Sequence, residues 1–138
     1  MKEFVLDCSA ALPWVFASEA TPANDALLDV LTQGGKAWVP ALWHLEVGNV
    51  LLGAQRRARI DQAGITGFLS ALAAYDIEID GHTMSLAWSQ TLALADRFAL
   101  TVYDAVYLEL ALRRRLPLAT LDKALLAALK KAGGTSAL

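Results

Sequence analysis

Cysteine is nearly absent from this chain: Cys8 is the only one in 138 residues. An intrachain disulfide is excluded, and so is any cysteine-built metal site. A cytoplasmic location is the expectation. Histidine is scarce too. His44 and His82 stand alone and far apart, and two such residues do not make a metal site. No apolar run is long enough to cross a bilayer, so no membrane role is expected. The uncharged stretch from Cys8 to Ala17 is interrupted by Pro13 and follows no basic segment, which argues against a signal peptide. No glycine-rich phosphate loop of either common type occurs. Charged residues are only 19% of the chain and the net charge is −2, so there is no broad basic footprint for nucleic acid.

Apolar residues, by contrast, reach 56%. That is rich for a chain of this length, and some apolar surface is expected to be covered by a partner. The positive charge is clustered: eight of the twelve basic residues fall in three runs, Arg56/Arg57/Arg59, Arg113–Arg115 and Lys130/Lys131. Each run suits the C-terminal end of a helix. Each could also flank a nucleic-acid cleft.

Four short apolar segments read as buried strands: Glu3–Asp7, Ala37–Val39, Ile77–Ile79 and Pro117–Thr120. Between them lie helical stretches. Ser9 is a plausible cap for a short helix over Ala10–Phe16. Thr21-Pro22 opens a helix to about Gln33, where Gly34-Gly35 ends it. Further helices are predicted over about Ala41–Ala58, Asp61–Tyr75, Thr83–Phe98, Thr101–Arg115 and Leu121–Lys131. The tail from Gly133 to Leu138 either adds a short edge strand or frays. Strands alternating with helices mean a parallel sheet covered on both faces. The chain reads as one α/β domain over residues 1–138, with three layers.

Four acids fall where such a sheet binds ligands, near the carboxyl ends of strands. Asp7 ends the first strand and Asp122 follows the fourth. Asp104 lies in the first turn of its helix. Glu46 is about a turn inside its own, with Leu42, Trp43 and Val50 among its helical neighbours. Isolated carboxylates on apolar faces are costly, and several at one point repel one another. A divalent cation relieves both penalties, and oxygen-only ligands suit Mg²⁺ or Mn²⁺. Each acid except Glu46 also has a plain structural role open to it: Asp7 as a cap, Asp104 in a capping box with Thr101, Asp122 in a favourable first-turn position. Asp96 is a rival acid, ranked lower because it is deep in a helix beside Arg97. Cys8 reads as a small buried residue. The four tryptophans, Tyr103 and Tyr107 read mostly as core, with Trp14 and Trp43 as alternative partner contacts and the two tyrosines as an alternative dimer contact.

Taken in order, the segments Val5-Leu6-Asp7-Cys8-Ser9, Pro40–Leu51 around Glu46, Leu100–Ala111 around Asp104 and Leu118–Asp122 resemble the four motifs of the PIN-domain nucleases. The length is similar to that of the VapC-type toxins of bacterial toxin–antitoxin pairs. The resemblance implies a three-layer α/β/α fold with a central parallel sheet of four to five strands. It implies a Mg²⁺- or Mn²⁺-dependent endoribonuclease and a VapB-like antitoxin that blocks the site. The family's catalytic and metal-binding acids fall on Asp7, Glu46, Asp104 and Asp122. Its small hydroxyl positions fall on Ser9 and Thr120, which are candidates to donate hydrogen bonds to carboxylates or to a phosphate of the RNA substrate, and equally for N-capping. The departure is at the end, where Thr135–Leu138 is a weak fifth strand. A homodimer is expected. Two alternatives stay open: a catalytically silent PIN-fold interaction module, and a phosphatase of the haloacid-dehalogenase kind. The latter wants a second acid two residues after the first, where this chain has Ser9.

Overall fold

The four short apolar segments pair as one sheet. The computed structural model describes residues 1–138. Strands β1 (Glu3–Leu6), β2 (Lys36–Val39), β3 (Asp76–Ile79) and β4 (Leu118–Ala119) are all parallel, in the order β3-β2-β1-β4. Phe4, Val5 and Leu6 are wholly buried although successive side chains point to opposite faces, so helices cover both sides of β1. This is the expected three-layer arrangement. The chain runs from β1 to β2 to β3 in one direction, then places β4 on the other side of β1. The strand order therefore reverses between β1 and β4.

The tail does pair. The Leu118 N–H donates to the Thr135 carbonyl at 2.9 Å, and the Ala137 N–H donates to the Leu118 carbonyl at 2.9 Å. The result is a single parallel bridge, Leu118 to Ser136, on the free edge of β4.

Eight α-helices surround the sheet: α1 (Cys8–Ala11), α2 (Pro22–Thr32), α3 (Leu42–Arg56), α4 (Gln62–Ala73), α5 (Thr83–Leu86), α6 (Leu92–Phe98), α7 (Val102–Arg114) and α8 (Lys123–Lys131). Side-chain caps set several starts. Thr21 accepts from the Asn24 N–H at 3.2 Å, Asp61 from Gly64 at 2.8 Å and Thr101 from Asp104 at 3.1 Å. The core joins β1, β2 and β4 to α3, α7 and α8 through Leu51, Tyr107, Leu108 and Leu125.

Four expectations need correction. Ser9 does not cap α1; that helix starts at Cys8 with Asp7 at the cap position. The helix predicted over Thr83–Phe98 is interrupted by a π turn, Ala87–Thr91. The wider turn re-registers the inward face, so that Thr83, Thr91 and Ala95 are buried while Trp88 is 93% exposed. Trp88 is therefore not a core residue. Nor is Tyr103, which lies on the outer side of α7 and is 69% exposed.

Candidate active site

The reversal in strand order puts the ends of β1 and β4 side by side, and both end in polar residues. Asp7 follows β1 and is almost fully buried. Thr120 follows β4 and is buried as well. The Thr120 hydroxyl donates to Asp7 Oδ2 at 2.7 Å, and the Ser9 hydroxyl donates to the same oxygen at 2.6 Å. Each hydroxyl also accepts: Ser9 from the Leu121 N–H at 2.9 Å, Thr120 from the Asp122 N–H at 3.1 Å. A hydroxyl has one proton to give. Both protons are spent on Asp7, not left for a phosphate. Asp7 Oδ2 is thereby saturated, and Oδ1 is the oxygen left for another ligand. Asp7 is the cap residue of α1 by position, yet its side chain makes no cap bond.

The other three acids arrive on helices. Asp104 lies in the first turn of α7. Its N–H is capped by the Thr101 hydroxyl at 3.1 Å. Glu46 lies a turn into α3 and accepts a short hydrogen bond from the Tyr107 hydroxyl of α7. Asp122 does serve as a cap: its Oδ1 accepts from the Leu125 N–H at 2.8 Å. Its second oxygen has no such bond. None of the four acids pairs with a lysine or arginine; the ion pairs of the structure all lie elsewhere.

Their charges act on one another. Burial above all pushes the Asp7 carboxyl up from its usual range; the bonds from Ser9 and Thr120 oppose the shift and the Asp122 charge adds to it. Burial also raises Glu46, opposed by the Tyr107 bond and aided by Asp7 and Asp104. Asp104 is raised by burial, then by Asp122 and Asp7. Burial and then the Glu46 carboxylate hold the Tyr107 phenol far above its ordinary value, which keeps it a donor. The Cys8 thiol, buried beside Asp7 and Glu46, is pushed up to about 12 and is no nucleophile at neutral pH.

These carboxylates do not form a closed cage. No group of three or more Asp, Glu, His or Cys side chains stands at the spacing of a preformed metal site. The donor set nevertheless fits a hard cation: carboxylate oxygens only, with no basic residue to neutralise them. Mg²⁺ in particular keeps several waters and takes only one or two carboxylates directly, so it does not need an all-protein cage.

Other candidates lie apart. Asp96 is exposed on α6. His44 packs edge-on against Trp43, its ring centroid 4.9 Å away. His82 contributes its backbone N–H to Asp80 at 3.1 Å. Two residues have polar roles that the sequence reading did not assign. One is Tyr107, whose place three positions after Asp104 was the available signal. The other is Asp80, buried at the end of β3. It accepts from Arg113 Nη1 and Nη2 at 3.1 and 2.7 Å, from Arg114 Nε and Nη2 at 3.0 and 2.8 Å, and from the Thr83 hydroxyl at 2.8 Å. Burial alone would raise its carboxyl, but the bonds from Arg113, Thr83 and Arg114 hold it well below the usual range. Arg113 also forks onto Glu109, and Arg114 stacks over the Trp38 ring at 3.5 Å. Two of the three arginines in that basic run are thus internal struts rather than free contacts for RNA.

Comparison with known proteins agrees with the sequence motifs. A family model described as PIN domain matches residues 4–131. The crystal structure of PAE2754 from Pyrobaculum aerophilum superposes with a TM-score of 0.71 at 24% identity, covering 98% of this chain and 89% of that one. A toxin–antitoxin complex from Klebsiella pneumoniae superposes with a TM-score of 0.57 at 17% identity, covering 86% of each chain. At those identities the two structures speak for the fold. Comparison with curated proteins gave no match.

Proposed function

This chain belongs to the PIN-domain family, whose members are generally nucleases, and from that premise we propose that it is a Mg²⁺- or Mn²⁺-dependent endoribonuclease, the toxin of a type II toxin–antitoxin pair. Residues 1–138 act as one PIN domain in this reading. The observation that carries it is electrostatic: Asp7 feels the charge of Asp122, Glu46 those of Asp7 and Asp104, and Asp104 those of Asp122 and Asp7. These acids come from four distant segments, and no basic side chain compensates them.

Asp7 would hold the cation with Oδ1, since Oδ2 is held by Ser9 and Thr120. Asp104 and Asp122 would hold it beside Asp7. A bound Mg²⁺ or Mn²⁺ supplies a more acidic water and positive charge against the phosphorane-like transition state. Glu46, tied to Tyr107 by one oxygen, uses the other to hold a second ion or to orient the attacking water. Water is the nucleophile, and the products carry 5′-phosphate and 3′-hydroxyl ends. Ser9 and Thr120 hold Asp7 in place instead of touching RNA.

An antitoxin fits the same mouth. Leu45 is 76% exposed and Tyr103 69%, and with Leu42 and Asn49 they surround Glu46 in an open hollow of about 390 Å³. Apolar side chains beside an acidic centre suit a partner that brings an apolar segment and a basic group. The exposed Met84 and Trp88 are available for a second copy of the chain. No helix is long and apolar enough to cross a membrane, and the proposal places the protein in the cytoplasm.

The test is cleavage of end-labelled RNA by the purified chain with Mn²⁺, with excess chelator, and with Asp7→Asn. Cleavage in the first arm alone, with 3′-hydroxyl products, is expected. Cleavage that survives both the chelator and Asp7→Asn would sink the assignment. Metal binding without cleavage of any RNA would favour the silent interaction module.

A further inference from the structure

We infer that Tyr107 is a positioning residue for the acidic centre: its phenol fixes one oxygen of Glu46 and leaves the other free for a cation. The inference rests on the metal-dependent reading above and goes beyond the four acids. The argument starts from the two side chains. Glutamate has three rotatable bonds, and on the half-buried face of α3 little packing restrains its end. Tyrosine swings only its ring, and the Tyr107 ring is wholly buried in the main core cluster. Its oxygen is therefore placed by the core.

That oxygen donates to Glu46 Oε1, and the phenol is the one side-chain partner Glu46 has. Oε2 is left free. Tyr107 also stands one helical turn after Asp104 on α7, so the helix that presents one acid also holds another, which comes from α3. Asp7 is treated the same way. Hydroxyls of Ser9 and Thr120 take up Oδ2 and leave Oδ1 open. Two acids on different elements thus each have one oxygen held by a hydroxyl. Such outer partners fix ligand orientation, and their loss typically weakens metal binding by about 10–100-fold.

A double-mutant cycle on the metal-free full chain tests this, read by Mn²⁺ titration with electron paramagnetic resonance and by thermal melting. Tyr107→Phe keeps the ring in the core and removes only the hydroxyl. It is expected to weaken Mn²⁺ binding by about tenfold or more, with a cooperative melt retained. In a Glu46→Ala background the same change should cost nothing further, because the phenol acts through Glu46. Equal losses in both backgrounds would mean a general structural effect and would overturn the inference, as would unchanged Mn²⁺ affinity in Tyr107→Phe. If Tyr107→Phe fails to melt cooperatively, Glu46→Gln supplies the arm: unaltered Mn²⁺ affinity there removes Glu46, and with it Tyr107, from the site. A wild-type chain that binds no Mn²⁺ overturns the nuclease reading itself, and that result is distinct from the others.

Discussion

Thr120 and Asp7 are 113 residues apart in the chain, yet the threonine hydroxyl donates to the aspartate carboxylate at 2.7 Å inside the protein. The bond spans the point where strand order reverses, between β1 and β4. Removing it tests how firmly Asp7 is held. Thr120→Val keeps the shape and deletes the hydroxyl, so Asp7 loses a donor and the Asp122 N–H loses an acceptor. The expected cost is about 1–3 kcal/mol in urea denaturation, with Mn²⁺ affinity weakened by about tenfold or more. Thr120→Ser should restore the larger part of both.

Asp7 carries a stability penalty that its function demands. Its folded-state pKa is raised, so at neutral pH the folded protein holds a charge that it would sooner shed. The sign follows from linkage: the folded state binds more protons than the unfolded one between the ordinary aspartate pKa and the raised value. Metal-free protein should gain stability as pH falls from neutral into that window, and Glu46 and Asp104 push the same way. Asp7→Asn should abolish cleavage, raise stability at pH 7 and flatten the pH dependence. Melting curves from pH 7 to pH 5 with and without the substitution check this. A Tm that falls in Asp7→Asn at pH 7 would contradict it.

Asp80 behaves in the opposite sense. Its folded pKa is depressed, so its contribution is fully present above the ordinary aspartate pKa and is lost as pH drops through the lower folded value. Asp80→Ala leaves Arg113 and Arg114 without their shared acid and should destabilise by about 3–5 kcal/mol. Arg113→Gln should also lower the Tm. Arg115, exposed and in no ion pair, should change stability by less than about 0.5 kcal/mol when made Gln. If the basic run meets RNA, it is Arg115 whose loss weakens binding without unfolding the protein.

Three helices run into residues other than glycine in the left-handed region: α6 at Ala99 with φ +52°, α7 at Arg115 with φ +55° and α3 at Ala58 with φ +58°. The Leu100 N–H closes the first end on the Ala95 carbonyl at 2.9 Å. An alanine there is strained by roughly 1 kcal/mol. Ala99→Gly should stabilise the protein by up to about that amount, measured by urea denaturation, and leave RNA cleavage unchanged.

Much of this was legible beforehand because the relevant signals are local. The apolar runs marked four strands to within a residue or two, and Thr21-Pro22, Asp61 and Thr101 marked helix starts through caps that the structure contains. The break after Phe98 lay just before Thr101, where a cap could be recognised. The π turn could not be seen, because a single widened turn leaves the helical composition unchanged and alters only which side faces in. Trp88 was misplaced for that reason. Asp80 was missed because nothing near it announces a partner: Arg113 and Arg114 lie more than thirty residues on and look like an ordinary basic helix end.

The amino-acid order by itself determined the alternation of strands and helices, the acids that follow two of the strands, and the family, since these depend on neighbours along the chain. Only the tertiary structure decided which oxygen of Asp7 is free, that Tyr107 holds Glu46, and that two arginines brace Asp80 instead of facing solvent. Hydrogen bonds and ion pairs of that kind join groups across dozens of residues, and their geometry exists only after the sheet has closed its order and the helices have packed on it.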